Sequence, residues 1–112
     1  MHKLIILIPS QVIGTAFHDG WPKFLHNAEA MPGLIREATV QVQSALYGES
    51  QIGIIHELFF DSQADLQEAM ASTAGLEAGL ILQKLTNGQM TLLVAEHNED
   101  DIENLRGYRT DD

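Results

Sequence analysis

Residues 3–8 read KLIILI, and after Lys3 every one of them is apolar. A strand turns successive side chains to opposite faces, so Leu4, Ile6 and Ile8 lie on one side and Ile5 and Leu7 on the other. Near the other end, MTLLVAEH (residues 90–97) has the same two-sided character. Apolar surface left in water forfeits ~25 cal/mol per Å², and an open apolar sheet invites aggregation. The fold must therefore cover both faces of these strands. It has only 112 residues to do so, a length that suits one domain.

The remaining elements follow from periodicity. In TAFHDGWPKFLHNAEAMPG, Trp21, Phe24, Leu25, Ala28 and Met31 recur at helical spacing. This predicts a helix of about three turns, capped by Asp19, with Pro22 in the first turn and Pro32-Gly33 ending it. LIREATVQVQSALY alternates, with Ala38, Val40 and Val42 on one side and Glu37, Thr39, Gln41 and Gln43 on the other, which predicts a half-buried strand. GESQ makes a turn and IGIIHELFF is the next strand, so the pair reads as a hairpin. DSQADLQEAMAS opens with a capping box, Ser62 with Asp65, and continues as a helix buried through Leu66, Ala69 and Met70. AGLEAGLILQKL adds a short helical piece, NGQ turns, and MTLLVAEH closes the order.

That order is β-α-β-β-α-β, the split arrangement of ferredoxin-like α+β domains. It predicts a four-stranded antiparallel sheet in the order 4-1-3-2 with the helices on one face. The other face then needs a cover, and the same face of a second copy supplies one. A homodimer through sheet-to-sheet packing is the expectation.

Composition narrows the chemistry. The absence of cysteine excludes thiolate nucleophiles, disulfides and cysteine-ligated metals. A formal net charge of −10 opposes binding to nucleic acid or to an anionic membrane. No run approaches the ~18 apolar residues that span a bilayer. The apolar start stops at Pro9 with no small-x-small cleavage site after it, so it reads as a strand and not a signal peptide, and the expected setting is the cytoplasm. The sequence divides into a domain over residues 1–97 and an acidic extension over 98–112, NEDDIENLRGYRTDD. There is no GxSxG, no GxGxxG and no P-loop, and no cofactor is expected.

HELFFDSQADLQEAMAS, followed by GQMTLLVAEH and preceded by the W…L…AEAMPGL helix, resembles the EthD-like proteins of the dimeric α+β barrel superfamily. The likeness runs from about Met1 to His97 and is most specific over ELFFDS..DLQEAM. It implies the fold already described, with a pocket between sheet and helices in each protomer. It also implies a link to bacterial degradation of fuel ethers and other small organic compounds. Other branches of the superfamily are cofactor-free monooxygenases, polyketide cyclases, lactone isomerases and haem-degrading enzymes, and fold alone does not choose among them. Members often carry a histidine about eight residues before the Pro-Gly; Phe24 stands there in this chain, and His26 lies two positions on, turned by roughly 200°. Before the last strand, where the family tends to show an acid and an aromatic, this chain has Ile81 and Leu85.

His56 and Glu57 interrupt an otherwise apolar strand. Being adjacent, they point to opposite faces and cannot form a dyad. His56 reads either as a buried histidine hydrogen-bonded across the sheet or at the dimer contact, or as a general acid–base. Glu57 reads as a partner for Arg36 or for a backbone group. His56 and His26 are the candidate catalytic residues, and Trp21, Phe24 and Phe60 the candidate ligand contacts; the same aromatics also suit a plain core. His26 with Glu29 forms an i,i+3 pair of the surface type. The strand order brings His2, Glu96 and His97 towards one another, a donor set that suits zinc or nickel, although the spacing is no motif and no metal site is assigned.

Two functions fit. One is a homodimeric protein that binds a small, largely apolar organic molecule between sheet and helices and acts on it by cofactor-independent oxidation, isomerisation or cyclisation. The other is a non-catalytic dimeric binding or accessory module, with the acidic extension as a docking arm for a basic partner.

Overall fold

The computed structural model describes residues 1–100; residues 101–112, most of the acidic extension, lie outside the described residues. Strand β1 (His2–Pro9) runs through a single 3-10 turn (Ser10–Val12) into helix α1 (Thr15–Glu29). Strands β2 (Leu34–Gln41) and β3 (Ile52–Phe60) follow, then helices α2 (Gln63–Ala71) and α3 (Thr73–Thr86), and strand β4 (Thr91–Glu96). The four strands form one antiparallel sheet in the order β2-β3-β1-β4. This is the α+β, ferredoxin-like arrangement expected from the sequence.

The core lies between the sheet and the helices. Leu4, Ile6 and Ile8 of β1 and Ile54, His56, Leu58 and Phe60 of β3 are buried there against Phe17, Phe24 and Ala28 of α1 and Leu82 of α3. Each large apolar side chain so buried contributes about 1.5–3 kcal/mol. Two glycines permit the close packing of the helices. A Cβ on Gly20 would run into the Leu85 side chain where α1 meets α3, and one on Gly75 would meet the Ala69 carbonyl at the α2–α3 corner. Ser72 fixes that corner twice, donating to the Ala69 carbonyl at 2.6 Å and accepting from the Gly75 N–H at 3.1 Å. Ser62 caps α2 by accepting from the Asp65 N–H at 3.1 Å.

Three local expectations are corrected. Helix α1 starts at Thr15 with Gly14 as its cap, so Asp19 is internal and Pro22 lies inside the helix. The reason is Phe17, buried and four residues ahead of Trp21, which extends the apolar stripe by one turn. Strand β2 ends at Gln41, and SALY belongs to the long connection to β3, where Leu46 and Tyr47 are fully exposed. The segment after Ser72 is a full helix and not a short piece.

The second face of the sheet carries no helix. Ile5, Leu7 and Ile55 are half-buried on it, and Val40 and Leu93 are exposed. Its His2 end is polar. There Phe59 is buried beneath Lys3, Arg36 and the edge of His97. Glu57 pairs with Lys3 and not with Arg36, because Lys3 is its diagonal neighbour across β1 and β3. Arg36 is held instead by Glu99 at 2.8 Å. Among the described residues no helix is long and apolar enough to cross a membrane.

Candidate functional site

The polar side of β2 faces the helix layer. Ala38 and Val40 pair with Glu57 and Ile55 on the open face, which leaves Glu37, Thr39 and Gln41 on the side of His56. Thr39 and His56 are directly opposite in the register. The Val42 N–H donates to the Gly53 carbonyl at 2.9 Å, so hydrogen-bonded pairs alternate from there and Thr39–His56 falls on a non-hydrogen-bonded pair. Opposed side chains approach most closely at such pairs. The Thr39 hydroxyl accordingly sits 2.8 Å from His56 Nδ1, and Glu37 Oε2 sits 3.2 Å from His56 Nε2.

His56 is wholly enclosed, at 0 % exposure, while Glu37 keeps 27 % of its side chain in solvent and Thr39 is exposed. Aromatic rings close the site on the helix side. The Trp21 indole stacks between Phe17 and Phe24, at 5.1 and 4.9 Å, and meets the His56 ring edge-on at 5.3 Å. Phe24 meets the same ring at 6.0 Å. Burial holds the His56 pKa down to about 4, against the pull of the Glu29 and Glu57 charges, so the ring is neutral at pH 7. Burial also pushes Glu37 up to about 7, assisted by a hydrogen bond to the Glu29 carboxyl at the end of α1 and by its charge.

Beside this cluster lies an apolar void of about 30 Å³ lined by Leu4, Ile6, Phe24, Met31, Leu58 and Met70, among others. Phe24 belongs to both. The void has room for a water or two, and His56 is not in its wall.

The residues singled out in the sequence therefore divide. His56, Trp21 and Phe24 come together. His26 is exposed on α1, as its rotation from Phe24 requires, and is not among the groups that reach His56. Its i,i+3 neighbour Glu29 turns to Glu37. Phe60 is fully buried on the same face of β3, but its ring is not one of those packed on His56. His2 and Glu96 pair in register on the helix side, whereas His97 falls on the opposite face against Phe59 and bonds Glu99 at 2.7 Å. No group of three ligand-type residues is placed to hold a metal among the described residues. Sequence reasoning missed Glu37, Thr39 and Glu29. The signal for the first two was the hairpin register, which sets the polar side of β2 against His56.

No family model and no curated protein sequence matches the chain. Among solved structures, an EthD family protein from Bacillus halodurans superposes with a TM-score of 0.80 at 25% identity, over 88% of this chain and 99% of that one. A dimeric ferredoxin-like protein from Jannaschia matches with a TM-score of 0.66 at 17% identity, over 86% and 97% of the two chains. A cofactor-independent oxygenase from Streptomyces nogalater matches with a TM-score of 0.60 at 10% identity, over 90% and 94%. Over nearly its whole length the chain therefore shares the fold of an EthD family protein and of a dimeric ferredoxin-like protein, in agreement with the resemblance carried by its sequence.

Proposed function

We propose that the protein is a homodimer that binds a small, largely apolar organic molecule between sheet and helices and acts on it by proton transfer, without a cofactor. Isomerisation and cyclisation fit that description directly, and oxidation fits it with dioxygen as the oxidant that takes electrons from the deprotonated substrate. The observation that carries the reading is His56: a neutral imidazole in a dry aromatic setting, with a hydroxyl on one ring nitrogen and a carboxyl on the other. Proton transfer by a group so placed contributes about 10²- to 10⁴-fold. The cofactor-independent chemistry of the Streptomyces oxygenase and the EthD assignment of the Bacillus protein support the class of reaction, and the Jannaschia protein supports the dimer. Domain limits of 1–97 and 98–112, and a cytoplasmic setting, remain part of the proposal.

Phe24, which lines the void, and Trp21, stacked on Phe24, are the ligand contacts in this reading, with Met31 and Met70, flexible thioethers, as the residues that yield to admit the ligand. Roles for His26 in catalysis and for Phe60 in ligand contact are retained as proposals, each acting at a distance from the cluster.

One observation favours the second reading, a non-catalytic binding or accessory module. The void of about 30 Å³ is far below the ~300 Å³ at which ligand sites begin. Titrating the protein with small apolar ethers, ketones and phenols, and following Trp21 fluorescence, decides between the two. Saturable binding that His56→Leu abolishes, together with conversion of the bound compound, supports the enzyme. Binding without conversion, unchanged in His56→Leu, supports the module.

A further inference from the structure

Helices α1 and α3 leave a groove between them on the outer side of the helix layer. It measures about 370 Å³, and its lining includes Gly20 and Lys23 of α1 with Leu80, Ile81, Lys84 and Leu85 of α3. That volume falls within the ~300–1,000 Å³ of small-molecule sites. No residue of the groove belongs to the apolar void or to the groups packed on His56. Its floor is apolar: Leu85 packs against Gly20, where a Cβ would collide with it, and Ile81 is half-buried beside them. Leu80 adds an apolar side wall that is 56% exposed.

The charges around this groove run against those of the chain. In a protein of formal net charge −10, the described residues include only four lysines and arginines. Lys3 and Arg36 are held by Glu57 and Glu99 on the open sheet face. The other two, Lys23 and Lys84, both line the groove, both are exposed, and neither forms an ion pair among the described residues. Lys84 also suits the negative end of α3, in whose last turn it lies. Lys23, in the middle of α1, has no such role. One acid, Glu77, lines the groove as well, two helical turns or about 10 Å before Lys84.

We propose that the α1–α3 groove is a second binding site, for a small organic anion with an apolar body. A medium-chain or aryl carboxylate fits: its head lies between Lys23 and Lys84, away from Glu77, and its body lies on Leu80, Ile81 and Leu85. The site is separate from the proton-transfer reading above and stands or falls without it. At physiological ionic strength charges more than ~8 Å apart are largely screened, so two lysines in contact outweigh the acidic surface elsewhere. Exposed ion pairs are individually weak, so the head alone does not hold the ligand. The apolar body supplies the remainder, each fully buried CH₂ adding roughly fourfold in affinity.

The test titrates octanoate into the ¹⁵N-labelled full chain, with octanol and acetate as probes that lack the charge or the apolar body. Octanoate is expected to shift the amides of Lys23, Leu80, Ile81 and Lys84 saturably, at lower concentration than either control, and less tightly as salt is added. Lys23→Gln with Lys84→Gln should weaken octanoate about five- to tenfold, towards the affinity of octanol. Lys23→Arg with Lys84→Arg should keep it. Both lysines are exposed, so these variants keep the fold, which the rest of the spectrum reports. Octanol or acetate binding as tightly as octanoate overturns the proposal. So does a double glutamine variant that binds octanoate like the wild type. Octanoate shifts confined to the residues around His56 would remove this site and leave the reading of the His56 cluster in place.

Discussion

His56 Nε2 lies 3.2 Å from Glu37 Oε2, a contact across two strands in which the buried partner is held neutral and the half-buried partner holds its proton to about pH 7. The same burial that pushes one pKa down pushes the other up, since each shift disfavours a charge at the same place. The two residues therefore make opposite contributions to stability in acid.

His56 titrates near 4 when folded and near 6.5 when unfolded. Its contribution is complete above pH 6.5 and is lost as pH falls towards 4, because the unfolded chain binds the proton first. Glu37, raised from 4.5 to about 7, contributes most below pH 4.5 and loses that contribution as pH rises to 7. Between pH 4.5 and 6.5 the two slopes oppose. Urea unfolding of the wild type is expected to vary weakly with pH in that window. Glu37→Gln should expose the slope of His56, a loss of about 2–3 kcal/mol between pH 6.5 and 4. A Glu37→Gln profile parallel to that of the wild type would show the pair is not coupled as described.

The uncovered sheet face yields the second prediction. Ile55 and Leu93 lie on it with Ile5 and Leu7, and charge there opposes any apolar partner surface. Light scattering is expected to give twice the 12.4 kDa chain mass for the wild type. Ile55→Lys with Leu93→Lys should give one chain mass at micromolar concentration, with the helical circular dichroism kept. A wild-type monomer would remove the sheet-to-sheet dimer.

Much of this architecture was legible beforehand, for reasons that vary by element. The two-sided apolar pattern of Leu4–Ile8 required cover on both faces, and the β-α-β-β-α-β order then left few topologies. His56 was visible because a polar residue stood in an apolar strand. Glu37 and Thr39 were not, because alternation reports which residues share a face and not which face meets the helices. On β2 the apolar side turned out to be the open one. Glu29 was hidden by helix phase: its sequence neighbour is His26, but its spatial neighbour comes from the next strand. The start of α1 is hidden by Pro22: proline favours a first turn, which sets Phe17 outside the helix, whereas α1 begins at Thr15 and carries Pro22 inside it.

The aromatic stack predicts the effect of removing Trp21. Its indole covers Phe17, Phe24 and His56 at once. Trp21→Ala should cost about 3–5 kcal/mol, the range for large aromatics in packed sites, and should let water reach His56. The His56 pKa is then expected to rise from about 4 towards 6.5 in NMR titration. An unmoved pKa would mean that the Trp21 wall is not what keeps the imidazole dry.

The last prediction contrasts two glycines of α3. At Gly75 a Cβ has no room: the Ala69 carbonyl occupies its place and the Met70 backbone lies beside it, and neither is the end of a flexible side chain. At Gly79 nothing lies within 4 Å. The same Gly→Ala change should therefore act in opposite directions. Gly79→Ala restricts the unfolded chain and improves helix propensity, so it should stabilise by about 0.4–1 kcal/mol. Gly75→Ala gains the same propensity but forces α2 and α3 apart at the corner that Ser72 holds, so overpacking should destabilise by about 1–3 kcal/mol. Thermal unfolding of both variants reads the difference directly, at roughly 4–8 °C per kcal/mol for a domain of this size. Equal shifts in the two would place the corner elsewhere than between Ala69 and Gly75.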